Sequence, residues 1–404
     1  MAETEREVLV AGAGPVGLTA ALALRTLGRE VTVLEAASED RMREGSRAIY
    51  VHGETLRLLE GVLPGLGRRL AEHGLMWRAR RTCWKGREVF ARSYPPPDGD
   101  RLPHFTSLPQ AVTERLLLQA CCDAGVELRW SQPVTSVVVD AAAVHASADG
   151  DIWRSRYLVG ADGARSAVRR ALGVPMEGSR SSNRYVVVDV AEVTDDGLPI
   201  ERVFHYMHPA VGGRHVLLVP FAGGWRIDLQ CHPGDRPEEY STDAGLRRWL
   251  PRIMPAAYAD AITWVSTYQF LQVVARTFTD AHRRVLLAGE AAHLFAPFGA
   301  RGMNSGMADA IAAARAIDTA LDAIEPGADA HAVGAFAEDR RQAALYNRSA
   351  AGQALRHMQA LNPATRLRRR IAAALAPRSQ RAGSWLDSAP YGPRGGRDGK
   401  HSTY

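Results

Sequence analysis

Lysine is almost missing from this chain: Lys85 and Lys400 are the only two in 404 residues, although lysine and arginine together number 50. The net charge of +6 is therefore carried by arginine. Part of the excess lies late, at Arg366, Arg368, Arg369, Arg370, Arg378, Arg381, Arg394 and Arg397. Aromatic residues are sparse there, so the cluster reads as a solvated helix face and a loose tail rather than a nucleic-acid patch. Cysteine is scarce as well. Cys83, Cys121, Cys122 and Cys231 include no C-x-x-C pair, and the adjacent two are poorly disposed to bridge each other. That excludes a zinc or disulfide framework and fits a reducing compartment. No apolar run approaches the roughly 20 residues needed to span a bilayer. The start, Met1-Ala2-Glu3-Thr4-Glu5-Arg6-Glu7, lacks the basic region and apolar stretch of a secretion signal. A cytoplasmic protein with no membrane or nucleic-acid partner and no bound metal is expected.

Glycine, by contrast, is abundant and patterned. Gly12-Ala13-Gly14-Pro15-Val16-Gly17 follows the apolar run Glu7–Ala11 and opens a small-residue helix at Leu18–Leu27. A second segment starts at Gly289-Glu290-Ala291-Ala292-His293 and continues as Pro297-Phe298-Gly299-Ala300-Arg301-Gly302-Met303-Asn304-Ser305-Gly306. It too follows a strand, Val285–Ala288, and opens a helix. Each segment presents a row of backbone N–H groups to an anionic ligand. Two such sites on one chain point to one long cofactor held at both ends, namely FAD.

Val31–Leu34, ending at Glu35, completes a βαβ unit, so the fold class is α/β with a doubly wound, Rossmann-like nucleotide domain. Residues 55–75 read as helical, with breaks at Gly61, Gly65 and Gly67. Residues 76–105 are rich in Trp, Arg and Pro, and 95–99 form a loop. A helix at Gln110–Ala124 precedes strand-like 126–130, and three short antiparallel strands are expected at 134–139, 144–147 and 152–158. Between about 176 and 276, β-branched and alternating runs separated by Gly-Gly turns predict an inserted antiparallel sheet. The expected division is 1–75, 106–175 and 277–345 for the FAD-binding domain, and 76–105 with 176–276 for the substrate sheet. Residues 346–404 form a C-terminal helix and a basic Gly/Pro-rich tail.

Two further motifs sharpen the reading. Gly160-Ala161-Asp162-Gly163-Ala164-Arg165-Ser166-Ala167-Val168-Arg169 and Arg284-Val285-Leu286-Leu287-Ala288-Gly289-Glu290-Ala291-Ala292-His293 closely resemble the "DG" and "GD" motifs of the class A flavoprotein monooxygenases. These are the aromatic hydroxylases typified by para-hydroxybenzoate and phenol hydroxylases, and the resemblance covers residues 7 to about 320. It implies that Gly12, Gly14, Val16 and Gly17 hold the ADP half of FAD, with Glu35 on its ribose. Arg47 matches an arginine near the flavin and pyrophosphate, and Gln110 a cofactor-contacting glutamine. Asp162 and Gly163 help hold the cofactor, and the family links that motif to NADH or NADPH use. Gly289 and Glu290 contact the ribityl and pyrophosphate region. Pro297, Gly299 and Gly302 line the reacting side, with Met303 and Asn304 against the ring. Two residues depart from the pattern: Glu290 stands where the family usually has Asp, and Ala300-Arg301 replaces Gly-Gln. Arg301 reads equally as a functional cation, beside the flavin or meeting an acidic substrate group, and as a surface residue on a tight loop. A thioredoxin-like extension, carried by some relatives of this layout, is not expected in this chain.

The activity implied is NAD(P)H-consuming hydroxylation of an aromatic, phenolic small molecule by molecular oxygen, through a flavin hydroperoxide. No second dinucleotide fingerprint follows Gly17, so the nicotinamide is expected to visit transiently. A base that deprotonates a phenol assists such chemistry, and His205, Tyr206, His208, His215 and Arg226 in the inserted sheet are candidates. Strand alternation groups His215, Leu217 and Val219 on one face and Arg226, Asp228 and Gln230 on another. His293 is expected to be structural or close to the cofactor. A monomer or homodimer fits. The rivals are a flavin oxidase or dehydrogenase on the same fold, and a non-enzymatic flavin-binding redox sensor; the W-x-W-x-x-P segment of a halogenase is lacking.

Overall fold

The computed structural model describes residues 3–42, 44–193 and 197–393; Arg394, Arg397 and Lys400 of the basic tail lie outside the described residues. The fully buried run Val8-Leu9-Val10 sits in the strand Glu3–Ala11, at the middle of a parallel sheet. Its neighbours are Val31–Leu34 and then Glu127–Arg129 on one side, and Asp151–Gly160 and then Val285–Leu287 on the other. Covered on both faces, such strands read as continuous apolar runs rather than alternating ones. Asp151–Gly160 is longer than expected and has two roles. Its whole length pairs parallel with the first strand, and its start also pairs antiparallel with Val144–Ala148. Only Val134–Val139 and Val144–Ala148 are purely antiparallel.

The helix Pro15–Thr26 packs against Arg301–Leu321 and Gln110–Asp123 on the sheet. Gly53–Val62 and Leu66–His73 resolve the helical stretch into two, parted near Gly65.

An eight-stranded sheet forms the second layer, with strand order His293–Leu294, Ile262–Ala275, Met176–Ala191, Gly224–Gln230, Arg214–Phe221, Glu201–His208, Ala79–Trp84 and Arg87–Ser93. The Trp- and Arg-rich stretch thus supplies an edge hairpin turning at Lys85-Gly86, both at positive φ. Period-two alternation divides the faces. Val186, Val188, Ile227 and Leu229 pack against Leu246 and Trp249. Tyr185, Asp189, Arg226 and Asp228 point the other way, toward the nucleotide domain. Residues 328–391 add Ala328–Gln359, Pro363–Leu375, Gln380–Ser388 and a final turn, Ala389–Tyr391. Of the late arginines, Arg369 is buried rather than solvated, lying 4.9 Å from the Tyr206 ring. The four cysteines are unpaired. Among the described residues no helix is long and apolar enough to cross a membrane, and no cluster of His, Cys, Asp and Glu is arranged for a metal.

Candidate functional site

The two glycine turns meet. Val16, in the first, packs directly under the second: a Cβ on Gly289 would approach Val16 Cγ2 to 2.8 Å, and one on Gly306 to 2.6 Å. Within the first turn the three glycines divide the work. Gly12, at φ +98°, lies so close to Ala161 that a Cβ would sit 2.6 Å from its carbonyl oxygen. A Cβ on Gly17 would collide with the Gly12 oxygen, whereas one on Gly14 would meet nothing within 4 Å. Gly12 and Gly17 therefore shape the turn, and Gly14 leaves room for a ligand at an N-terminus that no side chain caps. The second helix, Arg301–Leu321, also starts without a side-chain cap, at Ala300 with φ 54°. Both ends offer free N–H groups and partial positive charge.

Around the first turn, Glu35 is 8% exposed and folds back on the glycine loop. Its Oε2 accepts from Ala13 N at 2.5 Å and its Oε1 from Ala37 N at 3.0 Å, which leaves further lone pairs for ribose hydroxyls. Arg41, a residue the motifs did not flag, donates to Ala13 O at 2.6 Å and lies 3.4 Å from Glu35 and 4.9 Å from the Trp130 ring. Its buried Nη1 has no hydrogen-bond partner among the described residues. The available signal was a lone cation six positions beyond the ribose carboxylate, placed by a loop too irregular for a period to predict.

The Asp162 motif joins the same centre. Asp162 Oδ2 caps the short helix Ala167–Ala171 through Ala167 N (2.7 Å) and Val168 N (3.1 Å), while its buried Oδ1 has no partner among the described residues. Arg169 reaches across to Ala291 O at 3.1 Å, tying this motif to the Glu290 turn. Glu290 is exposed in the cleft. Crowding by the surrounding protein pushes its carboxyl upward, against His293, Arg47 and the Ala164 backbone, which favour the charged form. Arg41, ion-paired with Glu35 but with Nη1 making no hydrogen bond among the described residues, and the Asp162 Oδ1 acceptor flank two uncapped helix N-termini, a set that fits a ligand carrying both phosphates and hydroxyls.

The Arg47 loop is held from two sides. Asp189, 1% exposed, accepts from Ser46 N (2.6 Å) and Ser46 Oγ (2.8 Å), and Arg226 bonds both Asp189 and the Arg47 carbonyl. Gln110 accepts from Ala48 N at 3.3 Å and donates to Glu114. This fixes Arg47, itself exposed and at φ 51°, over the cleft. Arg226 thus acts as a positioning group for this loop rather than as a base. Asn304 spends its side chain on structure: it accepts from His52 N and Thr55 Oγ1 and donates to Tyr50 O and Ala300 O. Met303 and Gly302 remain half-exposed, and Pro297 is exposed. Gly299 abuts the Tyr391 carbonyl oxygen.

Arg301 takes neither expected role. It is 1% exposed and donates to Asn347 Oδ1 (2.7 Å), Tyr391 O (3.3 Å) and Pro393 O (2.7 Å), so it ties the C-terminal turn to the second glycine segment. Arg301→Gln is expected to cost about 2–3 kcal/mol in denaturant unfolding, the scale of charge-assisted bonds lost in a buried setting. A loss under about 0.5 kcal/mol would contradict that role.

Tyr206 and His215 share the cleft-side sheet face but are covered by the C-terminal helices. Tyr206 Oη contacts His357 Nε2 (2.9 Å) and Leu386 O (2.8 Å); His215 accepts from Met207 N and meets Arg369. Both are joints between layers and not bases. His205 and His208 lie with ring centroids 4.7 Å apart, and burial, then His208, brings His205 down to about 4. His205 points to the opposite sheet face, since its neighbours Phe204 and Tyr206 carry the cleft side. His293 is fully buried, stacked on Phe295 and bonded to Asp309. On the same sheet face as Asp189 and Arg226 lie Tyr185, Asp228 and Gln230; alternation along the strand groups the last two with Arg226, whereas Tyr185 carries no such signal.

These features agree with the known proteins that the chain resembles. A family model described as "FAD binding domain" matches residues 5–344. The 3-(3-hydroxy-phenyl)propionate/3-hydroxycinnamic acid hydroxylase of Mycobacterium avium (strain 104) is 31% identical over 327 residues, 76% of this chain and 53% of that protein. The chain thus spans about half the length of the curated relatives it matches. Among solved structures, p-nitrophenol 4-monooxygenase from Pseudomonas putida DLL-E4 superposes with a TM-score of 0.79 at 25% identity, covering 97% of this chain and 100% of that one. A flavin-dependent monooxygenase solved with FAD and substrate gives 0.74 at 20% identity, over 96% and 72% of the two chains, which speaks to the fold alone. With most of its length matched, the chain belongs to the FAD binding domain family, among relatives that are aromatic hydroxylases.

Proposed function

We propose that this protein is an FAD-dependent monooxygenase that consumes NADH or NADPH and hydroxylates an aromatic, phenolic small molecule. The observation that carries the reading is the meeting of the two glycine turns, Val16 of the first lying against Gly289 and Gly306 of the second. The strand Val285–Leu287 belongs to the parallel sheet and His293–Leu294 to the eight-stranded one, so the Glu290 turn crosses between the two layers. Gly12, Gly14, Gly17, Glu35 and Arg41 would hold the adenosine and pyrophosphate. Arg47, Asp162, Gly163 and the Gly289-Glu290 turn would hold the middle of the cofactor, and residues 297–304 its ring.

Bound FAD supplies the redox chemistry, taking electrons from the nicotinamide and passing one atom of molecular oxygen to the substrate ring. The chain's residues bind and orient. The uncapped start of Arg301–Leu321 offers positive potential to the negative charge of a reduced ring. Tyr50, Trp77 and Phe105, with centroids 4.3–5.4 Å apart, join Val219 and Phe221 in an apolar cluster that would shield a bound ring from water. A transient nicotinamide and a cytoplasmic setting, where that reductant is available, complete the assignment. The relatives' substrates, a hydroxyphenyl propionate and a nitrophenol, support the phenolic class.

The test is a panel of phenols added to the FAD-loaded protein with NADH or NADPH. Stimulated oxidation of the nicotinamide, with product heavier by one oxygen atom, is expected. Peroxide release with unaltered aromatics would make it an oxidase, and the absence of nicotinamide oxidation across the panel would sink the assignment.

A further inference from the structure

Three buried polar atoms on the cleft-side sheet face have no hydrogen-bond partner among the described residues: Tyr185 Oη, Asp228 Oδ1 and Gln230 Oε1. Tyr185 is 5% and Gln230 8% exposed. Strand register brings them together, because Tyr185 pairs with Gln230 and Val187 with Asp228, so all three side chains lie on one face within two rows. Leu217, opposite Asp228 on the next strand, continues that face into the apolar wall. The Tyr185 ring packs against Phe270 at 4.7 Å and Phe298 at 6.0 Å, and Phe298 belongs to the second glycine segment. Tyr185 thus links the polar trio to the loop assigned to the reacting side of the cofactor, with Gln230 and Asp228 next to it on the same sheet face.

Native proteins rarely leave such atoms unpaired, since each costs free energy without a partner. Two of the three are obligate acceptors and the third can donate or accept. A ligand that satisfies them must bring hydrogen-bond donors on an aromatic body. An ether lacks the donor, and a carboxylate would be repelled by Asp228.

We propose that Asp228, flanked by Tyr185 and Gln230, is the acceptor that binds the substrate's phenolic hydroxyl and takes its proton as the ring is attacked. The proposal rests on the hydroxylase reading above for the attack, though the binding half stands without it. As a ring carbon bonds to the oxygen atom delivered from activated molecular oxygen, the O–O bond to the second oxygen atom breaks and its electron pair departs with that atom, while electron density flows into the ring from the substrate's own hydroxyl oxygen. Its O–H bond breaks, the electron pair stays on that oxygen as a carbonyl, and the proton passes to Asp228 Oδ1. When the attacked carbon loses its hydrogen as a proton to solvent, the carbonyl oxygen recovers a proton from Asp228 and aromaticity returns.

The surroundings suit a group that changes charge near neutrality. Burial raises the Asp228 carboxyl to about 6, Arg226 and Arg202 pull it down, and Asp189 pushes it up. Tyr185 stands diagonally across and is raised out of its usual range by burial and by Asp228; His215 lies beyond Gln230 and is neutral. Below pH 6 Asp228 is protonated and a weak acceptor. Above it the carboxylate accepts, so preference for a hydroxylated ligand rises with pH through about 6.

The experiment is equilibrium dialysis of the FAD-loaded protein with phenol and anisole, and with 2-naphthol and 2-methoxynaphthalene, at pH 5 and pH 8, alongside nicotinamide oxidation. At pH 8 the wild type should prefer the hydroxylated member by about tenfold or more, and by less at pH 5. Asp228→Leu should reduce that preference to within about twofold at both values, and Asp228→Glu should restore part of it. Tyr185→Phe, which removes a single oxygen, should lower the preference while keeping its pH dependence, and it serves if Asp228→Leu does not fold. Unchanged preference and pH dependence in Asp228→Leu, or in Tyr185→Phe if only that variant folds, would overturn the proposal while leaving hydroxylation intact. If instead the preference depends on Asp228 but no phenol stimulates nicotinamide oxidation, the acceptor site stands and the hydroxylase reading falls.

Discussion

Gly14→Ala is expected to leave the apoprotein at least as stable as the wild type and to weaken FAD binding by about 100-fold or more, roughly 2.7 kcal/mol. At this position φ is −77° and ψ −178°, a conformation any residue adopts, and a Cβ has no protein atom within 4 Å. Alanine there even reduces the freedom of the unfolded chain, worth about 0.4–1 kcal/mol in favour of folding. What the methyl group does occupy is the space in front of the uncapped helix start, where the backbone must approach a pyrophosphate closely. Gly17→Ala is the contrasting control. Its methyl collides with the Gly12 carbonyl oxygen, so stability and FAD affinity should fall together. Denaturant unfolding of the apoproteins and FAD titration by fluorescence quenching separate the two effects. Wild-type affinity in Gly14→Ala would mean that nothing approaches this turn.

The second large effect lies behind the cofactor site. Asp309 is fully buried and serves three donors: Gly289 N at 3.2 Å, His293 Nε2 at 2.6 Å and Arg340 Nε at 2.8 Å. One carboxylate thus fixes the second glycine turn, the motif histidine and the long helix Ala328–Gln359. Asp309→Asn leaves the Arg340 guanidinium, 6% exposed, with only the solvent-exposed Asp339, 3.4 Å away, as counter-charge. Breaking a buried pair from one side costs about 3–5 kcal/mol, and that loss is expected in urea unfolding at pH 7. The pH dependence has a definite sign. Burial pushes this carboxyl upward, but His293 and Arg340 outweigh it and hold it below the ordinary aspartate range. The stabilisation is therefore complete above the unfolded value of about 3.9 and is lost as pH falls through the lower folded value. The gap between wild type and variant should narrow below about pH 4. A gap under 1 kcal/mol at pH 7 would show that Asp309 does not organise this junction.

The parallel sheet and its glycine turns were legible because their signals are local: an apolar run, a glycine spacing, a helix start. The inserted sheet was legible as a sheet for the same reason, through alternation and Gly-Gly turns. What the sequence did not reveal depends on which layer covers which face. His215, Tyr206 and Asp228 share one sheet face, yet the C-terminal helices cover the first two and the cleft borders the third. No pattern in residues 201–230 encodes a cover supplied by residues 357–386. Arg369 shows the same limit from the other side, since its neighbours Arg366, Arg368 and Arg370 are exposed while it stacks on Tyr206. Arg301 looked like a loop residue, and only the return of Tyr391 and Pro393 to its side makes it a buried clamp.

The most direct measurement is a crystal structure of the protein grown with FAD. One FAD should lie across both layers, its pyrophosphate at Gly14 and Arg41 and its ring against residues 297–303. Density for a nicotinamide coenzyme alone at Gly14, or an FAD whose ring lies away from the 297–303 loop, would contradict the shared site.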